Sequence, residues 1–227
     1  MGAVISFEDV FELPMSLQCL EEFRHWTYSD GFPDQARIDY VHGRIEVDMS
    51  SEDLFTHGTP KTEIARVLSN RVKAERYGHL LVDRTRISSA PADLSAEPDI
   101  VFISRQSLAA GEVRLVPKAS AAPDRYVEIE GGPDLVVEIV SDNSETKDTQ
   151  RLPKVYFAAR VKEFWLVDVR GAAVNFQIHH RGPSGFQAVK PAEDEFQHSR
   201  VLQCHFRFER SRDQDGYWDY DLLLQGA

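Results

Sequence analysis

The chain has 227 residues, 42% of them hydrophobic and 28% charged, which suits one large domain or one domain with an extension. No apolar run approaches the ~20 residues that span a bilayer, Met1 to Val10 lacks the pattern of a signal peptide, and Cys19 and Cys204 stand too far apart for a Cys-x-x-Cys zinc motif, so a protein of a reducing cytoplasm is expected. A formal net charge of -11 works against nucleic-acid binding, which draws on neutralised phosphates; a nuclease stays compatible if carboxylates gather at a metal and basic residues line one face.

In chain order, Met1 to Pro14 reads as an extended arm. Ser16 is placed to cap a helix carrying Leu17, Leu20 and Phe23, and Ser29-Asp30-Gly31 ends it. Arg37 to Val47 alternates as a hairpin that turns at Val41-His42-Gly43-Arg44. Asp48 to Pro60 is a polar loop. Lys61 to Tyr77 carries Ile64, Val67, Leu68 and Val72 at helical spacing, with Gly78 as the stop. His57 and Glu63 fall near the start of that helix, where solvated charge is the ordinary alternative to a functional role. Leu80-Leu81-Val82 starts a strand, followed by Arg84 and Arg86, two candidates for contacting an anion. Ser88 to Ala96 reads as a loop, Glu97 to Ser104 as a buried strand with Asp99 at its mouth, and Gln106 to Ala122 as a connection. Tyr126 to Ile129 can add a short strand.

The run Gly131-Gly132-Pro133-Asp134-Leu135-Val136-Val137-Glu138-Ile139-Val140-Ser141 is the organising stretch. Near-continuous Val, Leu and Ile of strand length predicts a strand covered on both faces. An ionised Glu138 there needs a cation or a donor. A divalent metal is one such partner; an arginine, or water at the strand's end, is the other. Leu152, Val155, Tyr156 and Ala159 then form a helical stripe, with Pro153 in its first turn and regular helix from about Thr149 or Gln150. Phe164 to Asp168 is the next strand. Strand, helix and strand in that order predict a crossover, with the Glu138 and Trp165 strands parallel. Ala173 to Val189 reads as a hairpin, whose His179-His180 pair points to opposite faces and is structural. Val201 to Leu224 forms a final strand, turn and strand. Exposed edges there, with Trp218 and Tyr220, suggest a homodimer.

Asp99 and Glu138, with Asp134 and Lys147 nearby, are the residue types that metal-assisted phosphodiester hydrolysis needs: acids to hold the ion and a lysine to meet developing negative charge. Spacing alone does not single them out. Glu97-Pro98-Asp99, Gly132-Pro133-Asp134 through Glu138 to Ser141, Lys147-Asp148, Tyr156 and Glu163 to Asp168 together resemble the Uma-two family of putative restriction endonucleases, in the PD-(D/E)XK nuclease-like superfamily. The Asp39 to Gly43 hairpin and His57 fit the same layout.

The resemblance implies an α/β, restriction-endonuclease-like fold: a central mixed sheet flanked by helices, with a β-rich C-terminal extension. It divides the chain into an N-terminal arm and helix (1–34), a nuclease-like domain (35–190) and the extension (191–227). It also implies a DNA substrate and Mg²⁺ or Mn²⁺ held by Asp99 and Glu138. Two positions depart from the family pattern. The superfamily's lysine two residues after the second acid is Val140 here, and the helix lysine of many relatives falls at Leu152. Lys154 lies close by but on the solvent side of the helix, which favours Lys147 as the catalytic lysine; Glu63, His57, Asp134 and Lys154 are supporting candidates. The alternatives are a silent nuclease-fold module that binds nucleic acid or protein, and a structural role in which Glu138 pairs with Arg84 or Arg86.

Overall fold

The computed structural model describes residues 4–7, 11–33, 36–118 and 123–226. The expected N-terminal arm contains an antiparallel pair, β1 (Val4–Phe7) and β2 (Phe11–Pro14), and the rest of its residues lie outside the described ones. Helix α1 (Leu20–Thr27) starts later than Ser16 predicted. Glu22 sets the start: its carboxylate accepts the Gln18 and Cys19 amides at 2.7 and 3.2 Å, satisfying donors that a helix start leaves free. The predicted hairpin is β3 (Arg37–Val41) and β4 (Arg44–Asp48), turning on His42 and Gly43 with φ of 54° and 77°.

A single π turn, Leu54–Gly58, leads into α2 (Thr59–Glu75), and Asp53 caps the turn through the Phe55 and Thr56 amides. Arg76, at φ 54°, ends α2, not Gly78. Gly78 instead opens β5 (Gly78–Val82), where a Cβ would stand 2.0 Å from the Ile103 carbonyl oxygen. There follow β6 (Arg86–Ser89), β7 (Leu94–Ala96), β8 (Ile100–Ser104), the short α3 (Arg105–Ala109), β9 (Val113–Pro117) and β10 (Tyr126–Gly131). The organising run is β11 (Leu135–Ile139). A second π turn, Lys147–Arg151, precedes α4 (Leu152–Ala158), so regular helix begins two or three residues later than Pro153 alone suggests. The chain ends with β12 (Glu163–Asp168), β13 (Asn175–Arg181), β14 (Phe186–Ala188), β15 (Gln197–Ser199), β16 (Cys204–Arg212) and β17 (Trp218–Gln225).

Among the described residues these strands form two six-stranded sheets and two smaller ones. The central sheet has the order β14-β13-β12-β11-β8-β5, the second β4-β3-β7-β6-β10-β9, and the C-terminal one β15-β16-β17. As predicted, β11 runs parallel to β12. Its other neighbour, β8, is antiparallel. The second sheet was not legible as a sheet: β7 and the second half of β6 lie in the Ser88–Ala96 stretch read as a loop, because Ser, Ala and Pro carry little strand signal. Ser88 and Ser95 are nevertheless buried there, bonded to Glu128 and to Arg86.

Both faces of β11 are covered. Leu135, Val137 and Ile139 meet Ile64, Leu68 and Val72 of α2 and Phe206 and Phe208 of the C-terminal sheet. Val136 faces the other way, with Val101 and Ile103 of β8, onto Leu152, Val155 and Tyr156 of α4 and onto Val41, Ile87 and Ile129 of the second sheet. Each fully buried aliphatic side chain contributes roughly 1.5–3 kcal/mol. The third cluster packs Phe23 and Trp26 of α1 on Ile38 and Tyr40, so β3 too is buried on both sides. Tyr220 stacks on Phe208 and donates its hydroxyl to the Phe55 carbonyl, and Trp218 lies under the Arg210 and Arg212 guanidiniums. Both aromatics are therefore engaged within the chain. Among the described residues no helix is long and apolar enough to cross a membrane.

Gly78→Ala must push β5 away from β8, because the Cβ would meet backbone and not a yielding side chain. It is expected to cost about 1–3 kcal/mol, read as a lower urea midpoint at unchanged m-value. An unchanged midpoint would contradict the close approach.

Candidate active site

Strand register decides how the two acids meet. Val136 pairs with Val101 and Val137 with Ile100 across antiparallel β11 and β8, so Glu138 and Asp99 form the next opposed pair. Opposed residues in an antiparallel ladder point to the same side. Both carboxylates therefore face the second sheet. There Arg37 of β3 reaches across and touches both, Nη1 to Asp99 Oδ1 at 3.3 Å and Nη2 to Glu138 Oε2 at 3.5 Å. Asp99 Oδ2 also accepts the Ile139 amide at 2.8 Å, and Glu138 Oε1 accepts the Tyr156 hydroxyl.

Asp39, two residues after Arg37, shares that face of β3. Its Oδ1 accepts the Glu97 amide at 2.9 Å and its Oδ2 takes the Lys147 ammonium at 3.0 Å. Lys147 comes from the π turn before α4 and is 6% exposed, which is rare for a lysine unless paired. Asp148 beside it accepts the Ser144 hydroxyl. At the head of α2, His57 sets Nε2 3.5 Å from Asp99 Oδ2 and Nδ1 2.6 Å from Glu52 Oε1.

The layer holds four carboxyls (Asp39, Asp99, Glu138 and Asp148) against the cations Arg37 and Lys147, all but Arg37 fully buried. Burial alone would raise every acid. At Asp99 the opposing charges of Arg37 and His57 and the Ile139 amide win, and its carboxyl lies well below the usual range. Asp39 is held down against burial by Lys147 and Arg37. Glu138 goes the other way: burial, then the charges of Asp148 and Asp99, push it up to about 8. Burial likewise raises Asp148 to about 6. Burial works against a charged His57, but Asp99 and Glu52 outweigh it and lift the imidazole to about 9. A buried site with surplus acid keeps a proton or takes in another cation.

This layer opens into a cleft of about 430 Å³. Arg37 and Asp99 reach it from the sheets, His57 from the π turn before α2, and Lys61, Arg84 and Arg170 from the surrounding loops and helix.

Three sequence candidates lie elsewhere. Asp134 sits at the opposite end of β11, about 13 Å from Glu138 by strand rise; it binds the Ser104 amide, the Ser107 hydroxyl and the Lys162 ammonium. Glu63 pairs with Arg66 and accepts the Leu222 amide, tying α2 to β17. Lys154 is exposed on α4. The arginine that meets Glu138 is Arg37, not Arg84 or Arg86. Arg86 is spent on Glu97, Ser95 and the Ile38 carbonyl. Sequence reasoning missed Arg37 and Asp39. Their alternation with Ile38 and Tyr40 was visible, but it marks a solvated face unless a second layer covers it. Leu152, near which the resemblance leads one to expect a lysine, is packed in the core at 1% exposure.

Among the described residues, no group of three or more His, Cys, Asp and Glu side chains is arranged to hold a metal ion. The site offers a pair of acids, which suits an ion that keeps water and substrate oxygens as its remaining ligands.

A family model described as Uma2, "Putative restriction endonuclease", matches residues 20–210. Among solved structures, one described as a "putative nuclease belonging to DUF820" from Anabaena variabilis ATCC 29413 aligns with a TM-score of 0.60 and 18% identity, over 82% of this chain and 90% of that one. At that identity the likeness shows the fold alone. No curated protein matches the sequence.

The two lysines separate cleanly by stability. Lys147→Ala leaves Asp39 buried without its cation and is expected to cost about 3–5 kcal/mol. Lys154→Ala should stay within about 0.5 kcal/mol. Denaturant unfolding of the two variants checks this, and equal losses would contradict the burial of Lys147.

Proposed function

The chain belongs to the Uma2 family described as "Putative restriction endonuclease", and from that premise we propose that it is a Mg²⁺-dependent endonuclease hydrolysing DNA phosphodiester bonds. The observation that carries the reading is the opposed Asp99–Glu138 pair, converging from adjacent strands on one cation position beside an open cleft. Hard carboxylate oxygens fit Mg²⁺ or Mn²⁺. Burial, then the charges of Asp148 and Asp99, raises Glu138, and a divalent cation would offset that penalty.

Asp99 and Glu138 would hold the ion in the place Arg37 fills. When bound, the ion supplies Lewis-acid polarisation of the phosphate and lowers the pKa of attacking water. The protein's own groups do the rest. The Ile139 amide and His57 orient Asp99, and the Tyr156 hydroxyl orients Glu138. Lys147, fixed by Asp39 at 3.0 Å, keeps a positive charge within the acid layer and is the proposed stabiliser of the pentavalent phosphate. Its ammonium is raised above the ordinary lysine value despite burial, chiefly by Asp39, so it stays charged at neutral pH.

One observation favours a silent binding module instead: Arg37 already bridges both acids, as a structural ion pair does. Cleavage of supercoiled plasmid separates the two readings. Wild type with Mg²⁺ or Mn²⁺ should nick DNA, EDTA should abolish it, and Glu138→Ala or Asp99→Asn should lower the rate about 10²-fold or more. A wild type that cuts no better than Glu138→Ala leaves the module reading standing.

A further inference from the structure

The turn after β5 sets one cation apart. Among the described residues, the other basic side chains on the cleft wall are ion-paired: Arg37 with Asp99 and Glu138, Lys61 with Asp83, and Arg170 with Asp168. Arg84 is exposed, lines the same cleft, and has no ion pair among those residues. The backbone that presents it is unusual. Asp83 and Arg84 both have positive φ, 49° and 44°. Two such residues in succession are what Asn-Gly normally supplies, and side chains beyond glycine pay for that conformation. Strain of this kind persists only where the surroundings impose it. Here they do: the Asp83 amide donates to the Asp99 carbonyl at 3.1 Å, and the Asp83 carboxylate takes the Lys61 ammonium at 2.7 Å. The turn that carries Arg84 is thus bonded to the backbone of Asp99 itself.

We infer that Arg84 is a substrate-positioning residue that grips a backbone phosphate of duplex DNA in the cleft. The inference rests on the nuclease reading above and adds to it the contact that aligns the strand with Asp99. An arginine suits the task, because its planar guanidinium meets phosphate oxygens in a two-point contact. It also answers the charge problem of this chain. A protein of net charge -11 offers DNA little general attraction, so a cation with no ion pair among the described residues weighs heavily at the site.

Fluorescence anisotropy with labelled duplex DNA tests this, with Ca²⁺ in place of Mg²⁺ to hold the substrate uncut, between about 50 and 200 mM salt. Arg84→Ala should raise the Kd about tenfold and reduce the slope of log affinity against log salt by about one. Arg84→Lys should keep the slope and recover part of the affinity. Arg84→Gly should bind as poorly as Arg84→Ala yet raise the unfolding temperature by about 2–4 °C, because glycine relieves the turn. Arg114→Ala, which removes a surface arginine paired with Glu130 on β9, should change neither affinity nor slope. If wild type binds and cuts DNA and Arg84→Ala matches it in affinity and slope, Arg84 is overturned and the nuclease reading stands. If wild type neither binds nor cuts, both fall together.

Discussion

The Arg37 guanidinium between Asp99 and Glu138 is the interaction on which this architecture turns. It comes from one sheet and meets two acids on another. A buried pair of this sort is not a reservoir of stability, since replacing it with well-packed apolar groups is often neutral or better. Removing only one partner is another matter, because the charge left behind has no water to turn to. The acids thus hold β3 in place, and the cost of separating them keeps the two sheets in register. Apolar packing around the layer supplies the bulk of the cohesion and leaves this strip as its polar seam.

The seam is deliberately unbalanced. Asp39 and Lys147 neutralise each other at 3.0 Å, and Arg37 is divided between two carboxylates. Asp148 is left with a serine hydroxyl, and Glu138 with a tyrosine hydroxyl and a share of Arg37. The result is a pair of acids on adjacent strands in opposite states, Asp99 held ionised and Glu138 held near neutrality. Environments that split the behaviour of two neighbouring carboxyls are a mark of sites that bind cations or move protons, although ion-pair networks also produce them.

Lys147 enters the acid layer from an unusual piece of backbone. The resemblance leads one to expect a lysine near Leu152, which is part of the core. The ammonium reaches the acid layer from five residues earlier, carried by a π turn that lets this segment face inward before α4 begins. Glu163 does the corresponding structural work on the far side. Fully buried, it accepts from Trp165, Ser199 and the Arg200 and Val201 amides, and so ties the C-terminal strands to β12.

Local pattern was enough for the spine of the fold. The apolar run around Glu138 announced a strand buried on both faces, the stripe from Leu152 to Ala159 announced the crossover helix, and their order required β11 and β12 to be parallel. The family motifs named Asp99 and Glu138. The strand, the helix and their order follow from hydrophobic periodicity and chain connectivity, which neighbouring residues determine among themselves, whereas the two acids follow from the resemblance. The assembly of the second sheet, and with it the burial of Arg37 and Asp39 against the acids, came only from the tertiary structure. Short segments such as Leu94-Ser95-Ala96 become strands when others flank them, and the polar face of β3 becomes an interior only when a distant sheet closes over it. Register across β8 and β11 likewise joins residues 39 positions apart. Burial and convergence are properties of what comes from elsewhere in the chain, so no local reading of these residues contains them.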